Sequence, residues 1–170
     1  MRSKSVSVRK SVIEDIDNIL LVYEGAKRYM RQEGNHSQWI DGYPGHDVIE
    51  ADIKAGNHYL IEDSDGNILM TFSFIIGPDP TYSYIEGGEW IDETEYGTIH
   101  RAASSGMKRG MMNNCIEFCF SRIDNIRVDT HADNLSMKRA LTALDFKKCG
   151  IIYLKDGSPR VAFQKLNRII

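Results

Sequence analysis

Between Ser104 and Met112 the chain reads SSGMKRGMM, with two glycines and two cations where an extended segment gives way to a helical one. The first N–H groups of a helix have no intrahelical acceptor and carry partial positive charge, so this junction offers an anion a cradle of main-chain donors. Gly106 and Gly110 let the main chain come close to a ligand with no Cβ in the way. Lys108 and Arg109 add cationic reach, and the whole suits a pyrophosphate. Two better-known phosphate loops do not fit. A Walker loop needs Gly-Lys-Ser/Thr, whereas Gly110 is followed by Met111 and Met112, and the G-x-G-x-x-G spacing of a dinucleotide fingerprint is absent. A turn that binds nothing is the plain alternative.

Titratable side chains surround this junction in sequence. His100 lies on the strand before it, His131 follows the next strand in VDTHADN, Glu86 and Glu89 precede it, and Tyr153 sits on a later strand. An imidazole titrates in the range that acid–base catalysis uses. His100 and Arg101 are neighbours on one strand, so alternation turns one of them toward any cleft and the other away. The stretch IEGGEWIDETEY gathers Glu86, Glu89, Asp92, Glu93 and Glu95 around Trp90. It reads either as a rim that attracts a cation or as a solvated loop. Cys115 and Cys119 are one helical turn apart, but a metal site needs three or four converging ligands. They read as core thiols, and no metal is expected.

The elements that must position these residues follow from periodicity. Val6 to Val12 alternates as a strand, and Ser11 with Glu14 forms the signature of a capping box. Ile13, Ile16, Ile19, Leu20 and Tyr23 then recur at helical spacing through about Met30. A polar loop containing Trp39 and Tyr43 leads to a second helix over Asp47 to Lys54. HYLIED, the turn SDGN and ILMTFSFII read as a hairpin with Asp65-Gly66 at its tip. A strand at Gly97 to Ala103, a helix from Gly110, the strand IRVDT, a helix from Asn134 and the strands FKKCGIIYL and VAFQKL complete the chain. This order predicts an α/β sheet with antiparallel parts and helices on both faces.

Composition bounds the setting. A chain of 170 residues is expected to form one domain over 1–170, burying roughly 70% of its unfolded surface. A net charge of -3 argues against a nucleic-acid partner, which needs a concentrated basic footprint. Three cysteines without a C-x-x-C pair suit a reducing, cytoplasmic compartment, and no apolar run is long enough for a membrane span. Nothing in the sequence fixes the oligomeric state, and a homodimer is compatible with it.

The strand and glycine loop, the helix after them, and then Asn134, Met137, Leu144 and Phe146 together resemble the GNAT superfamily of N-acetyltransferases. The resemblance covers nearly the whole chain in element order and is sharpest from Ile99 to Tyr153. It implies a mixed, largely antiparallel central sheet of six or seven strands with helices on both faces. It also implies acetyl-CoA as co-substrate and direct attack by a primary amine of a small molecule or peptide. On that reading Met107, Lys108, Arg109, Gly110 and Met111 hold the pyrophosphate. Ala102, Ala103 and Ser104 bond the pantetheine and thioester through their main chain, and Asn134 contacts the cofactor arm. His131, His100, Glu89 and Tyr153 are then the catalytic candidates, with Trp39 and Tyr43 bordering the acceptor cleft. The chain departs from the family pattern at several places. Met107 replaces a Gln or Arg, Met112 a small residue, and Asp145 a glycine, while Leu141 stands where many members carry a tyrosine acid. Those departures leave a non-catalytic acyl-CoA sensor as the second reading and a nucleotide-binding protein as a third.

Overall fold

The computed structural model describes residues 4–168. In chain order the elements are β1 (Val6–Lys10), α1 (Ile16–Gln32), α2 (His46–Lys54), β2 (His58–Asp63), β3 (Ile68–Ile76), β4 (Gly97–Ser104), α3 (Met111–Phe120), β5 (Asn125–Thr130), α4 (Leu135–Ala143), β6 (Lys147–Tyr153) and β7 (Pro159–Leu166). The strands form one seven-stranded sheet in the order β1-β2-β3-β4-β5-β7-β6. Every neighbouring pair is antiparallel except β4 with β5. The expected mixed, largely antiparallel sheet with helices on both faces is therefore what the chain forms. Among the described residues no helix is long and apolar enough to cross a membrane.

Local chemistry accounts for the element ends. At the β2–β3 turn the Asp63 carboxylate accepts the amides of Asp65 and Asn67, and Gly66 takes the left-handed conformation (φ 82°) that the turn demands. Asn134 caps α4, its Oδ1 accepting the Met137 amide at 3.1 Å. The start of α1 differs from the capping box expected of Ser11 and Glu14. A 3-10 turn over Ile13–Asp15 comes first, and Asp15 accepts the Val12 amide at 2.8 Å while pairing with Arg9. Ser11 is buried and its hydroxyl lies 2.7 Å from His58 Nδ1, so it serves the interior instead of the helix.

Alternation along the strands sorts the core into two layers. Tyr59, Ile61, Phe72, Phe74, Ile99, Val128 and Phe163 face α3 and α4, packing on Met111, Cys115 and Leu141. The opposite side, here face one, packs Leu60 and Ala103 on Ile19, Tyr23 and Ile49 of α1 and α2. Farther along face one, Tyr82, Trp90 and Tyr96 of the 77–96 connection cover Ile152 and Ala162. The three cysteines are free and buried, as core thiols.

Face one also holds a buried polar column. His58 Nε2 lies 3.0 Å from Thr71 Oγ1 and 3.4 Å from the Tyr23 hydroxyl, with Ser11 at its other nitrogen. Burial of the ring pushes the His58 pKa down from 6.5 to about 4, Arg101 adding to the effect while Asp52 and Asp15 oppose it. The folded protein thus holds His58 neutral where the unfolded chain binds a proton. Its contribution is fully present above about pH 6.5 and is lost as the pH falls to about 4, at about 1.4 kcal/mol per pH unit and roughly 3 kcal/mol in all. Urea unfolding measured between pH 7 and pH 4.5 will show this decline, and His58→Gln will flatten it.

Candidate active site at the parting of β4 and β5

β4 and β5 pair only through Gly97 with Ile126, Thr98 with Arg127 and Ile99 with Val128. β4 nevertheless runs on to Ser104 and β5 to Thr130. Past Ile99 the two strands part. Among the described residues, His100 to Ser104 stay laddered to β3 on one edge and have no strand partner on the other. Main-chain donors and acceptors left on that edge, apart from the Arg101 carbonyl that the Tyr23 hydroxyl holds, must find water or a ligand.

His100 and Asp129 are the first residues past the last β4–β5 pair, and both lie on face one. His100 Nε2 sits 2.9 Å from Asp79 Oδ2, and the Tyr82 hydroxyl donates to Asp129 Oδ1 at 2.6 Å. The Tyr82 ring lies 6.4 Å from the His100 ring, so the two pairs form one cluster at the apex of the opening. Burial alone would raise the Asp79 carboxyl, but hydrogen bonds from His100 and Thr81 outweigh it and hold the pKa down at about 2. Asp129 behaves oppositely: burial raises its pKa, against the pull of His100 and Tyr82. Burial and the neighbouring carboxylate also drive the Tyr82 phenol well up, so Tyr82 keeps its proton.

The next residue breaks the strand's alternation. The β3–β4 register slips between the pairs Ser73–His100 and Thr71–Ala103, which inserts an extra residue into β4. Arg101 takes a left-handed backbone conformation with φ 50°. Its guanidinium joins Asp52 Oδ2 at 2.7 Å and the Tyr43 hydroxyl at 3.0 Å. Asp52 also accepts from Ser73 at 2.6 Å. The expectation that His100 and Arg101 point to opposite faces is corrected by this bulge. Both turn to face one, His100 toward Asp79 and Arg101 toward α2.

The glycine loop leads from the open end of β4 to α3. Ser104 Oγ accepts the Gly106 amide and Ser105 Oγ the Met107 amide, folding the loop on itself. Gly110 precedes α3 with φ 81° and no side-chain cap, and a Cβ there would meet nothing within 4 Å. Among the described residues, the amides of Lys108 to Met112 have no acceptor within the chain. Met107 and Arg109 are exposed, Lys108 is half-buried and Met111 is core. Met112 is partly buried against the core cluster, and none of its atoms lies within 4 Å of where a Cβ on Gly110 would be. Ala103 is buried under α1, and Ala102 packs on the opposite layer.

Asn134 is committed within the chain. Its Nδ2 donates to Gln38 Oε1 at 3.1 Å, and Asn35 Nδ2 donates to the same oxygen at 2.8 Å. Arg31 clasps the carbonyls of Asn35 and Trp39. The α1–α2 connection is thereby tied to the start of α4 and, through Tyr43, to Arg101 of β4. Trp39 packs edge-on against Tyr23 at 5.4 Å, while Tyr43 is exposed.

The other candidates fall elsewhere. His131 follows β5, where its Nδ1 accepts the Asp133 amide at 3.0 Å, and partial burial together with Arg160 lowers its pKa. Tyr153 lies on edge strand β6, two strands from β5, stacked near Tyr84 with its hydroxyl on Glu86. Glu89 is exposed and follows Gly88, which presses on the Cys149 main chain of β6. The acidic stretch does not rim the opening: Asp92 pairs with Arg168 and Glu93 with Arg127, whose guanidinium stacks on Trp90 and Tyr96 near the start of β5. Leu141 is fully buried in the core. Asp79 and Asp129 are the residues sequence reasoning missed. The one local signal was VDT, which puts Asp129 a single position past the buried Val128.

No family model matches the sequence, and neither does any curated protein. Solved structures do match. An acetyltransferase of the GNAT family from Streptococcus agalactiae 2603 superposes with a TM-score of 0.87 at 30% identity, over 96% of this chain and 96% of that one. A GNAT-family acetyltransferase from Listeria monocytogenes 4b F2365 follows at 0.69 and 22% identity, over 95% of this chain and 94% of that one. The protein yncA of Salmonella typhimurium, solved with its cofactor acetyl-CoA, matches at 0.62 and 14% identity, over 97% and 95% of the two chains. The likeness to the streptococcal protein defines this chain as an acetyltransferase by class. It belongs to the GNAT family.

Gln38→Leu would leave the buried Asn35 and Asn134 amides without their shared acceptor. A loss of about 2–4 kcal/mol, or roughly 5–10 °C in melting midpoint, is expected in a calorimetric scan.

Proposed function

We propose that the chain transfers the acetyl group of acetyl-CoA to a primary amine of a small molecule or peptide, with His100 as general base. The observation that carries this reading is the parted β4–β5 pair with the His100–Asp79 couple at its apex. The residues suit the co-substrate. Unpartnered amides from Lys108 to Met112, the open space at Gly110 and the cations Lys108 and Arg109 favour a pyrophosphate. The free edge of His100 to Ser104 favours an extended amide-bearing arm. Asn134 enters through its place at the head of α4, its side chain holding the loop that would flank the arm.

An ionised Asp79 accepts from Nε2–H of His100, which leaves the lone pair on Nδ1. An amine arriving as its ammonium gives a proton to that nitrogen, directly or through water, before or as it attacks the thioester carbonyl. The C–N bond forms, a main-chain N–H of β4 steadies the developing oxyanion, and as the C–S bond breaks the nitrogen gives up its second proton to water or to the departing sulfur. A thiolate with a pKa near that of cysteine, about 8.5, leaves without an obligatory acid. Leu141 in place of a tyrosine is therefore compatible with turnover. His131 is the weaker base in this arrangement, because its Nδ1 lone pair is already taken by the Asp133 amide. Tyr153 lies two strands from β5 with its hydroxyl on Glu86, and Glu89 lies in the 77–96 connection beside β6, so neither enters this proposal.

Thermal unfolding with acetyl-CoA, CoA, ATP plus magnesium, and NAD tests the cradle. A ligand at about 100 times its dissociation constant adds roughly 2.7 kcal/mol, a few degrees here, and only the two CoA species should do so. His100→Gln should then cut kcat/KM by about 10²–10⁴-fold while leaving acetyl-CoA affinity intact. Binding with no amine-dependent release of CoA from any primary amine would overturn the transfer.

A further inference from the structure

Arg101 is a long side chain in the left-handed region in the middle of a strand, at φ 50°. Such a conformation costs on the order of 1–2 kcal/mol and persists only where its surroundings over-determine it. Two of its restraints act on the side chain, through Asp52 and Tyr43. The third acts on the main chain: the Tyr23 hydroxyl donates to the Arg101 carbonyl at 2.7 Å.

Tyr23 is itself held without slack. It is fully buried on α1, its ring is set edge-on to Trp39, and its oxygen lies 3.4 Å from His58 Nε2. His58 is fixed in turn by Ser11 at 2.7 Å and Thr71 at 3.0 Å. One assignment of protons uses every group. Ser11 donates to Nδ1, Nε2–H serves Thr71 and Tyr23, Thr71 donates to the Tyr59 carbonyl at 3.4 Å, and Tyr23 donates to Arg101. A hydrogen-bonded chain thus runs from the end of β1 through β2, β3 and α1 to one carbonyl of β4.

That carbonyl belongs to the peptide joining Arg101 to Ala102. In a planar trans peptide the C=O and the following N–H point in opposite directions, so fixing the Arg101 oxygen also fixes the Ala102 N–H. This peptide lies just past the point where β4 loses β5. We infer that Tyr23 is a positioning residue for the acetyl transfer: by holding the Arg101 carbonyl it aims the main chain of the β4 bulge at the thioester carbonyl. The inference rests on the proposed transfer, whereas the clamp itself can be read without turnover.

Calorimetric titration of wild type and Tyr23→Phe with acetyl-CoA and with CoA is the test. Wild type should prefer acetyl-CoA to CoA, and Tyr23→Phe should lose that preference while its CoA affinity stays within about twofold, with kcat falling about tenfold. An acetyl-CoA to CoA ratio unchanged by the substitution overturns the inference. If wild type binds neither ligand, the proposed function fails, and the clamp is judged by stability alone. Tyr23→Phe should lower the melting midpoint by about 3–6 °C in wild type and by roughly 1 °C in an Arg101→Gly background, since glycine accepts a positive φ unaided. Equal losses in both backgrounds would overturn the clamp as well.

Discussion

Among the described residues β4 and β5 are the one parallel pair in the sheet, and they stay hydrogen-bonded only from Gly97 to Ile99 on β4. A parallel pair requires a crossover, and α3 supplies it, so the N-terminus of α3 must stand beyond the carboxyl end of β4. That is where the strands separate. The unpaired strand edge, the free helix amides and the first side chains past the last pair therefore meet in one place as a consequence of topology. Ligands of open α/β sheets gather at such carboxyl ends for the same reason. The glycine loop would be an ordinary turn if the two strands remained paired to their ends.

Parting the strands leaves the rest of β4 to be held from one side. The bulge at Arg101 and the column Ser11, His58, Thr71 and Tyr23 meet that need from face one, where α1 and α2 also pack. Burying so many polar groups is costly unless each finds a partner, and a partly satisfied network would be worse than an apolar core. Here the groups are arranged in series, each using its neighbour. The depressed His58 pKa follows from the same packing: a charged imidazole would face Arg101 with water excluded. Rigidity at the bulge and sensitivity of the fold to acid are two results of one arrangement.

Local pattern carried the elements well, and the residues show why. The Asp63–Asn67 turn, the Asn134 cap and the positive φ of Gly110 depend on residues a few places apart, so the string of letters contains them. Failures came where a partner is remote. Ser11 leaves the α1 cap for His58, 47 positions away. The acidic stretch, open in the sequence between a cation-attracting rim and a solvated loop, keeps Glu86, Glu89, Glu93 and Glu95 exposed, and its pairings with Arg127 and Arg168 come from residues later in the chain. Strand alternation predicts opposite directions for His100 and Arg101, and a one-residue bulge undoes it without any marker in the sequence. Asp79 and Asp129 were invisible because one lies in a connection and the other on a different strand. Only the register of Ile99 against Val128 brings them to the same apex.

The apex cluster also sets its two carboxyls apart. Two carboxyls sit beside one imidazole, and a site that holds like charges so close gains by separating their proton affinities. Asp79 accepts from His100 and from both the amide and the hydroxyl of Thr81, which keep it ionised despite burial. Asp129 has Tyr82 as its hydrogen-bond donor, and its partly buried setting raises its pKa. A strong acid beside His100 orients the ring without taking its proton. Burial works the other way on the one across the opening, raising its affinity for a proton. Exchanging the two environments would take from Asp79 the donors that hold its pKa down and weaken it as an acceptor for Nε2–H of His100. The asymmetry of the two carboxyls, set by donor count and burial, is what the proposed role of His100 as base would draw on.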